Sequence, residues 1–186
     1  MRKQIFEKFT VKDIVFLAII SAVATCTAAV MAVVSQIYIF GLAQLVTALQ
    51  FSLFPAIALV KTRKVGSILF FAVFTGMVEL FMAPVMFFSS LITGLVIELL
   101  VVFIFGGYQE DQAVFFAAWL FIPLTMPLNL LYYRLFSVEL YDLFFGSGFQ
   151  VLAVVFVAAA IAVSALGSFL GIRIGGELKR AGVLKK

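Results

Sequence analysis

The sequence has no histidine, a single cysteine (Cys26), a single tryptophan (Trp119) and only 12% charged residues among 186. Without His there is no HExxH metalloprotease, no His-ligated haem and no Ser-His-Asp triad, and the usual acid–base side chain at neutral pH is missing. One Cys excludes a disulfide framework. No GxxxxGK[ST] run occurs, so the chain has no phosphate-cradling loop and is not expected to hydrolyse ATP or to act as an enzyme. No metal-ligand set is expected. An average soluble domain is about a quarter charged, and this chain has too little charge to cover a water-facing surface. A soluble globular domain, a disordered tail and a nucleic-acid-binding module are therefore excluded. What is present is apolar: 65% hydrophobic residues, including 23 Phe, and a mean hydropathy of +1.24. The composition is that of a polytopic membrane protein.

A helix needs about 20 mostly apolar residues to cross a ~30 Å hydrocarbon core. Six segments meet this, near 13–34, 42–60, 65–83, 86–105, 113–133 and 149–172. Gly41, Lys61-Thr62-Arg63-Lys64, Pro84, Gly106-Gly107 and Gly146-Ser147-Gly148 mark the breaks between them. The ~10-residue alternating segments of a membrane barrel are absent. The expected fold is an all-α integral membrane protein, one domain over 1–186 with six transmembrane helices. No cleaved signal peptide is expected, because the first apolar run continues as a spanning helix.

Basic residues set the orientation. Arg2, Lys3, Lys8 and Lys12 precede the first segment, Lys61, Arg63 and Lys64 follow the second, and Arg173, Lys179, Arg180, Lys185 and Lys186 flank or follow the sixth. With both termini cytoplasmic, twelve of the thirteen basic residues lie inside and only Arg134 lies outside. The inner loop carrying Glu110 and Asp111 has no base, but acids count little in this rule.

Ionisable groups at membrane depth are costly and face a bundle interior or a wet cavity. Glu79 lies ~21 Å along the third segment, in its outer half, and Glu98 lies ~18 Å down the fourth, near the middle. Each is either a ligand-facing group or a carboxyl bonded to a hydroxyl of a neighbouring helix. Other polar residues gather on the outer side: Gln36, Tyr38 and Gln44 around the first outer turn, then Asn129, Tyr132, Tyr133 and Arg134, with Gln150 opening the sixth helix. Tyrosines there also suit an aromatic belt, whereas the Asn129 amide needs a partner. An outward-open pocket lined by Glu79, Asn129 and aromatics is expected, beside a fifth helix kinked at Pro123 and Pro127. The connection YRLFSVELYDLFFGSG suits a short helix or lid, or packing on the membrane surface. On the first helix Ala18 and Ala22, then Ala24, Ala28 and Ala32, are spaced by four, which lets another helix approach or serves internal packing. Cys26 reads as a small buried hydrophobe and Trp119 as structural.

Six short helices, both ends inside, an alanine motif on the first helix and no ATPase motif together resemble the S component of an energy-coupling-factor (ECF) vitamin importer. The opening FTVKDIVFLAIISAV is similar to the start of such proteins. RKVGSILFFAVFTGMVEL, ITGLVIELLVVF and GELKRAGVLKK resemble the YkoE-like S components associated with thiamine or hydroxymethylpyrimidine uptake. The resemblance spans essentially the whole chain and points to the family more than to the vitamin. It implies a multi-pass protein of the cell membrane with no cofactor of its own, binding one vitamin tightly from outside. Such a protein docks on a transmembrane scaffold subunit driven by two ATPase subunits, which use the ATP, and topples to deliver its ligand. In the family the alanine motif meets the scaffold, which carries over to Ala18 and Ala22, with Ala24 and Ala28 beside them. Glu79 and Glu98 match acidic positions of the thiamine-associated relatives.

Cobalamin is the vitamin expected first: thiamine sites cage their cation with aromatics including Trp, and Trp119 lies near the inner side. Thiamine or its hydroxymethylpyrimidine precursor is the alternative, for which a buried carboxylate would suit the cation. Two other classes compete: an autonomous secondary transporter relaying protons through Glu79 and Glu98, and a scaffold protein without a small ligand.

Overall fold

Long apolar runs with no two-residue alternation, cut by Gly, Pro or charge, fold here as helices. The computed structural model describes residues 7–34, 36–145, 148 and 150–182. Arg2, Lys3, Lys185 and Lys186 lie outside the described residues, as do Gly146, Ser147, Phe149 and the side chain of Ala32. The described residues hold nine helices and no strand.

Helix α1 (Val11–Thr27) opens on a capping box, in which Thr10 and Asp13 satisfy each other's backbone donors. It ends where the Thr25 and Thr27 hydroxyls donate back to the Ser21 and Ala24 carbonyls, a side-chain competition that weakens the helical ladder. After a turn comes the short α2 (Met31–Val34). The continuous helix expected over 13–34 is therefore broken. Helices α3 (Leu42–Ala48) and α4 (Gln50–Thr62) run on almost without interruption. Helix α5 (Ser67–Glu79) stops four residues before the expected end, just before the turn to Pro84, the first residue of α6 (Pro84–Phe105). Helix α7 (Asp111–Phe136) continues through both Pro123 and Pro127. Helix α8 (Val138–Phe145) occupies the mixed connection after α7, and α9 (Gln150–Arg180) extends past the expected end.

Among the described residues, four helices are long and apolar enough to cross a membrane: Leu42–Thr62, Pro84–Phe105, Asp111–Phe136 and Gln150–Arg180. The apolar helix Ser67–Glu79 is shorter.

The helices close a ring in the order α1, α5, α6, α7, α9, α4 and back to α1, while α4 also meets α7. Small residues set the closest approach. Gly167, Gly171 and Gly175 of α9 lie against Leu49, just before α4, and Ser52, then Leu53 and Ala56, then Val60 of α4. That matching order makes α4 and α9 parallel. A side chain at Gly171 would run into the Leu53 carbonyl and the Ala56 methyl, so close packing of this kind requires glycine. This glycine stripe escaped the sequence reading, which credited only the alanines of α1.

The start of α1, the end of α4, the start of α5 and the α6–α7 loop meet at one end of the bundle. Lys64 pairs with Asp13 at 2.7 Å, and Arg63 pairs with Asp111. Arg63 also donates to the Gln109 carbonyl at 2.7 Å. The acidic loop that carries no base of its own thus receives one from α4's last turn.

Candidate functional site

The opposite end of the bundle holds a cavity of about 40 Å³. It is built from the end of α5, the first turns of α6 and the C-terminal half of α7. Successive residues on a helix point about 100° apart, and α6 uses this: Ser90 turns to α5 and Ser89 to α7. The Ser90 hydroxyl donates to Glu79 Oε2 at 2.6 Å, and the Ser89 hydroxyl donates to Asn129 Oδ1. Glu79 and Asn129 are each 8% exposed. Gln44 and Thr47 of α3, Thr125 of α7 and the rings of Phe51 and Phe121 complete the lining, with Met31, Met86 and Ile122. The Thr47 and Thr125 hydroxyls donate to carbonyls of their own helices, so the side-chain functions left to a guest are those of Glu79, Asn129 and Gln44. A carboxylate and two amides beside aromatic rings can recognise a small, planar, hydrogen-bond-rich molecule carrying positive charge.

Of the residues singled out in the sequence, Glu79, Asn129 and Gln44 come together here. Glu98 does not line the cavity. Its Oε1 accepts the Gly66 backbone N–H at 2.7 Å and its Oε2 accepts the Tyr108 hydroxyl at 3.1 Å, at the basic end. Gln36 and Arg134 are exposed, as is Tyr38. Tyr38 and Tyr133 both pack on Phe144 of α8, with ring centroids 6.2 and 5.2 Å away. Phe40 packs on Phe144 and Phe145, so an aromatic clasp ties α8 to the chain before α3. Gln150 donates to the Phe145 carbonyl at 3.2 Å. Tyr132 lines a separate apolar groove between α6 and α7.

The alanines of α1 divide between two faces. Ala22 is exposed and Ala18 half-buried, whereas Ala24 and Ala28 are buried within the bundle. A residue six positions after Ala18 has turned by about 240°, so the two pairs cannot share one surface. Ala24 and Ala28 are internal packing, not a surface another helix could reach. Cys26 is exposed, against the expectation of burial, because it follows Ala22 by four residues on the outer face. Trp119 donates its indole N–H to the Ile161 carbonyl at 3.1 Å, tying α7 to α9.

Sequence reasoning missed Ser89, Ser90, Thr47 and Thr125. The signal for the first two was available: adjacent hydroxyls in an otherwise apolar run, PVMFFSSLITGLV, shortly after Glu79. Comparison of the chain with protein-family models, with curated proteins and with solved structures returned no match.

Proposed function

We propose that the chain is the substrate-binding membrane component of an ATP-driven vitamin importer, an ECF-type S component that takes its ligand between Glu79 and Asn129. The observation that carries this reading is the shared cavity: two polar side chains from different helices, each held by one of two adjacent serines, at the end of the bundle with little charge. In this reading the protein crosses the cell membrane six times with both termini inside. The first crossing uses α1 with α2, and α5, about 20 Å long, is extended by the exposed apolar turn Leu80-Phe81-Met82. The basic end is cytoplasmic.

The cavity's size and charge favour thiamine or its hydroxymethylpyrimidine precursor over cobalamin. About 40 Å³ holds a few waters, whereas sites for drug-sized ligands run to several hundred Å³. Even a pyrimidine enters only if the side chains lining the cavity move apart. A corrin would require the bundle itself to part. Proton-coupled transport by the chain alone gains less support, since Glu98 is engaged by Gly66 and Tyr108, away from the cavity. Docking to a scaffold subunit falls to the exposed Ala22 with Ala18.

The test is to purify the full chain in detergent from vitamin-replete cells and identify the extracted molecule by absorbance and mass spectrometry. Titration with hydroxymethylpyrimidine, thiamine and cobalamin follows. Tight binding of either of the first two is the expected result, and a corrinoid spectrum would reverse the substrate assignment. An empty protein that binds none of them, or uptake driven by a proton gradient with no ATPase partner, would overturn the reading. Ala22→Leu should abolish capture by the scaffold while leaving ligand affinity within about twofold, because larger residues block close helix approach.

A further inference from the structure

We propose that a second pocket, at the basic end, holds the phosphate headgroup of an anionic phospholipid. This rests on the chain lying in a membrane and is independent of what the Glu79 cavity binds. The pocket, about 780 Å³, lies where α1 begins and α4 ends. Its lining carries four cations, Lys12, Lys61, Arg63 and Lys64, and two carboxylates, Glu7 and Asp13.

These charges differ in what they are free to do. Asp13 is engaged through one oxygen, which takes Lys64 at 2.7 Å, the Thr10 N–H at 2.9 Å and the Thr10 hydroxyl at 2.8 Å. Arg63 is paired with Asp111, though its buried Nε–H has no acceptor. Lys12 and Lys61 make no ion pair among the described residues, although Glu7 shares the pocket with them and the Asp13 carboxylate, already paired with Lys64, also attracts Lys61. The Lys61 ammonium is held 3.6 Å from the centroid of the Phe16 ring, a cation–π contact that fixes the charge without neutralising it. With four cations against two carboxylates in its lining, the pocket presents an excess of positive charge, part of it held in place by Phe16, which suits a phosphate.

The neighbouring surface of α1 says which phosphate. Val11 lines the pocket, and Val15 and Ile19 follow it at intervals of four on one helix face, all three exposed. A polar pocket continued by an apolar strip along the bundle matches a headgroup with its acyl chains. A soluble phosphate ester has no use for the strip. Basic residues at membrane boundaries also meet the anionic leaflet.

Native mass spectrometry of the full chain in detergent tests this, titrating phosphatidylglycerol and phosphatidylcholine with the same acyl chains. Phosphatidylglycerol should be retained at concentrations at least tenfold lower. The double variant Lys12→Gln/Lys61→Gln should remove most of that preference, and Lys61→Arg should keep it. Arg173→Gln/Lys179→Gln, which removes the same charge from the end of α9, should leave the preference intact. Equal retention of the two lipids would overturn the proposal. So would an equal loss in both double variants, which would mean diffuse attraction in place of a site. Displacement of the lipid by glycerol 3-phosphate at similar concentrations would assign the pocket to a free phosphate compound and overturn the lipid assignment.

Discussion

Glu79 and Glu98 are buried to the same degree, 8% exposed, on adjacent helices of one bundle, yet they are held by opposite means. Both oxygens of Glu98 accept from groups fixed by the fold, the Gly66 N–H and the hydroxyl of fully buried Tyr108. Gly66 has φ +99°, a left-handed conformation that favours glycine, and its turn launches α5. Glu98 therefore joins three pieces of chain, α6, the α4–α5 turn and the α6–α7 loop. Glu79 has one hydroxyl donor, Ser90, and faces a cavity it shares with Asn129. A buried carboxylate in an apolar helix is thus not yet a site; what decides is whether its neighbours use up its hydrogen-bonding capacity. Glu98 is spent on structure and Glu79 is not.

Exchanging the two roles by mutation gives the largest expected contrast. Glu98→Ala leaves the Gly66 N–H and the Tyr108 hydroxyl without their acceptor, and each orphaned buried donor costs about 1–3 kcal/mol. A loss of about 2–4 kcal/mol in reversible unfolding from mixed micelles is expected, with the folded fraction binding ligand as tightly as the parent. Should Glu98→Ala instead retain full stability and lose binding, the contrast collapses. Glu79→Gln should do the reverse. It keeps shape and hydrogen bonding but removes the charge, so ligand affinity falls by about 1.5–3 kcal/mol, tenfold or more, while unfolding shifts by under about 1 kcal/mol. Isothermal titration beside the unfolding curve separates the two, and undiminished affinity would return Glu79 to a structural role.

Much of this was legible in the sequence. The helical nature of the chain follows from runs of apolar residues, and the burial of Glu79 and Asn129 beside hydrogen-bonding partners follows from the cost of isolated polar groups in an apolar setting. Their meeting was inferable because both fall toward the same end of their helices. The different fate of Glu98 was not legible, because its partners are a backbone N–H and a tyrosine ten residues away in a loop, and neither leaves a pattern on α6. The break in the first helix was hidden for a similar reason: Thr25 and Thr27 act through their own backbone. The alanines misled by spacing alone. Ala18 and Ala22 share one spacing with Ala24 and Ala28, but the step from one pair to the other turns the helix to another face. Glycine at 167, 171 and 175 carried the stronger version of the same signal.

The finest division of the comparison lies within Glu98's own partners. Tyr108→Phe removes one donor and keeps the ring, so Glu98 retains the Gly66 N–H. The expected cost is about 1 kcal/mol, that of a single buried hydrogen bond, against the larger loss for Glu98→Ala. Burial, with the charge and hydrogen bond of Glu98 beside it, holds the Tyr108 hydroxyl well above the ordinary tyrosine range. A pKa raised on folding means the phenol's contribution is complete below its unfolded value of about 10 and is lost only as the pH climbs through the higher folded value. The stability gap between parent and Tyr108→Phe should therefore stay level from about pH 6 to about pH 9. A gap that closes within that interval would mean the hydroxyl ionises early, which a donor to a buried carboxylate cannot do. Ligand affinity should not move at all, since nothing at the basic end reaches the cavity between Glu79 and Asn129.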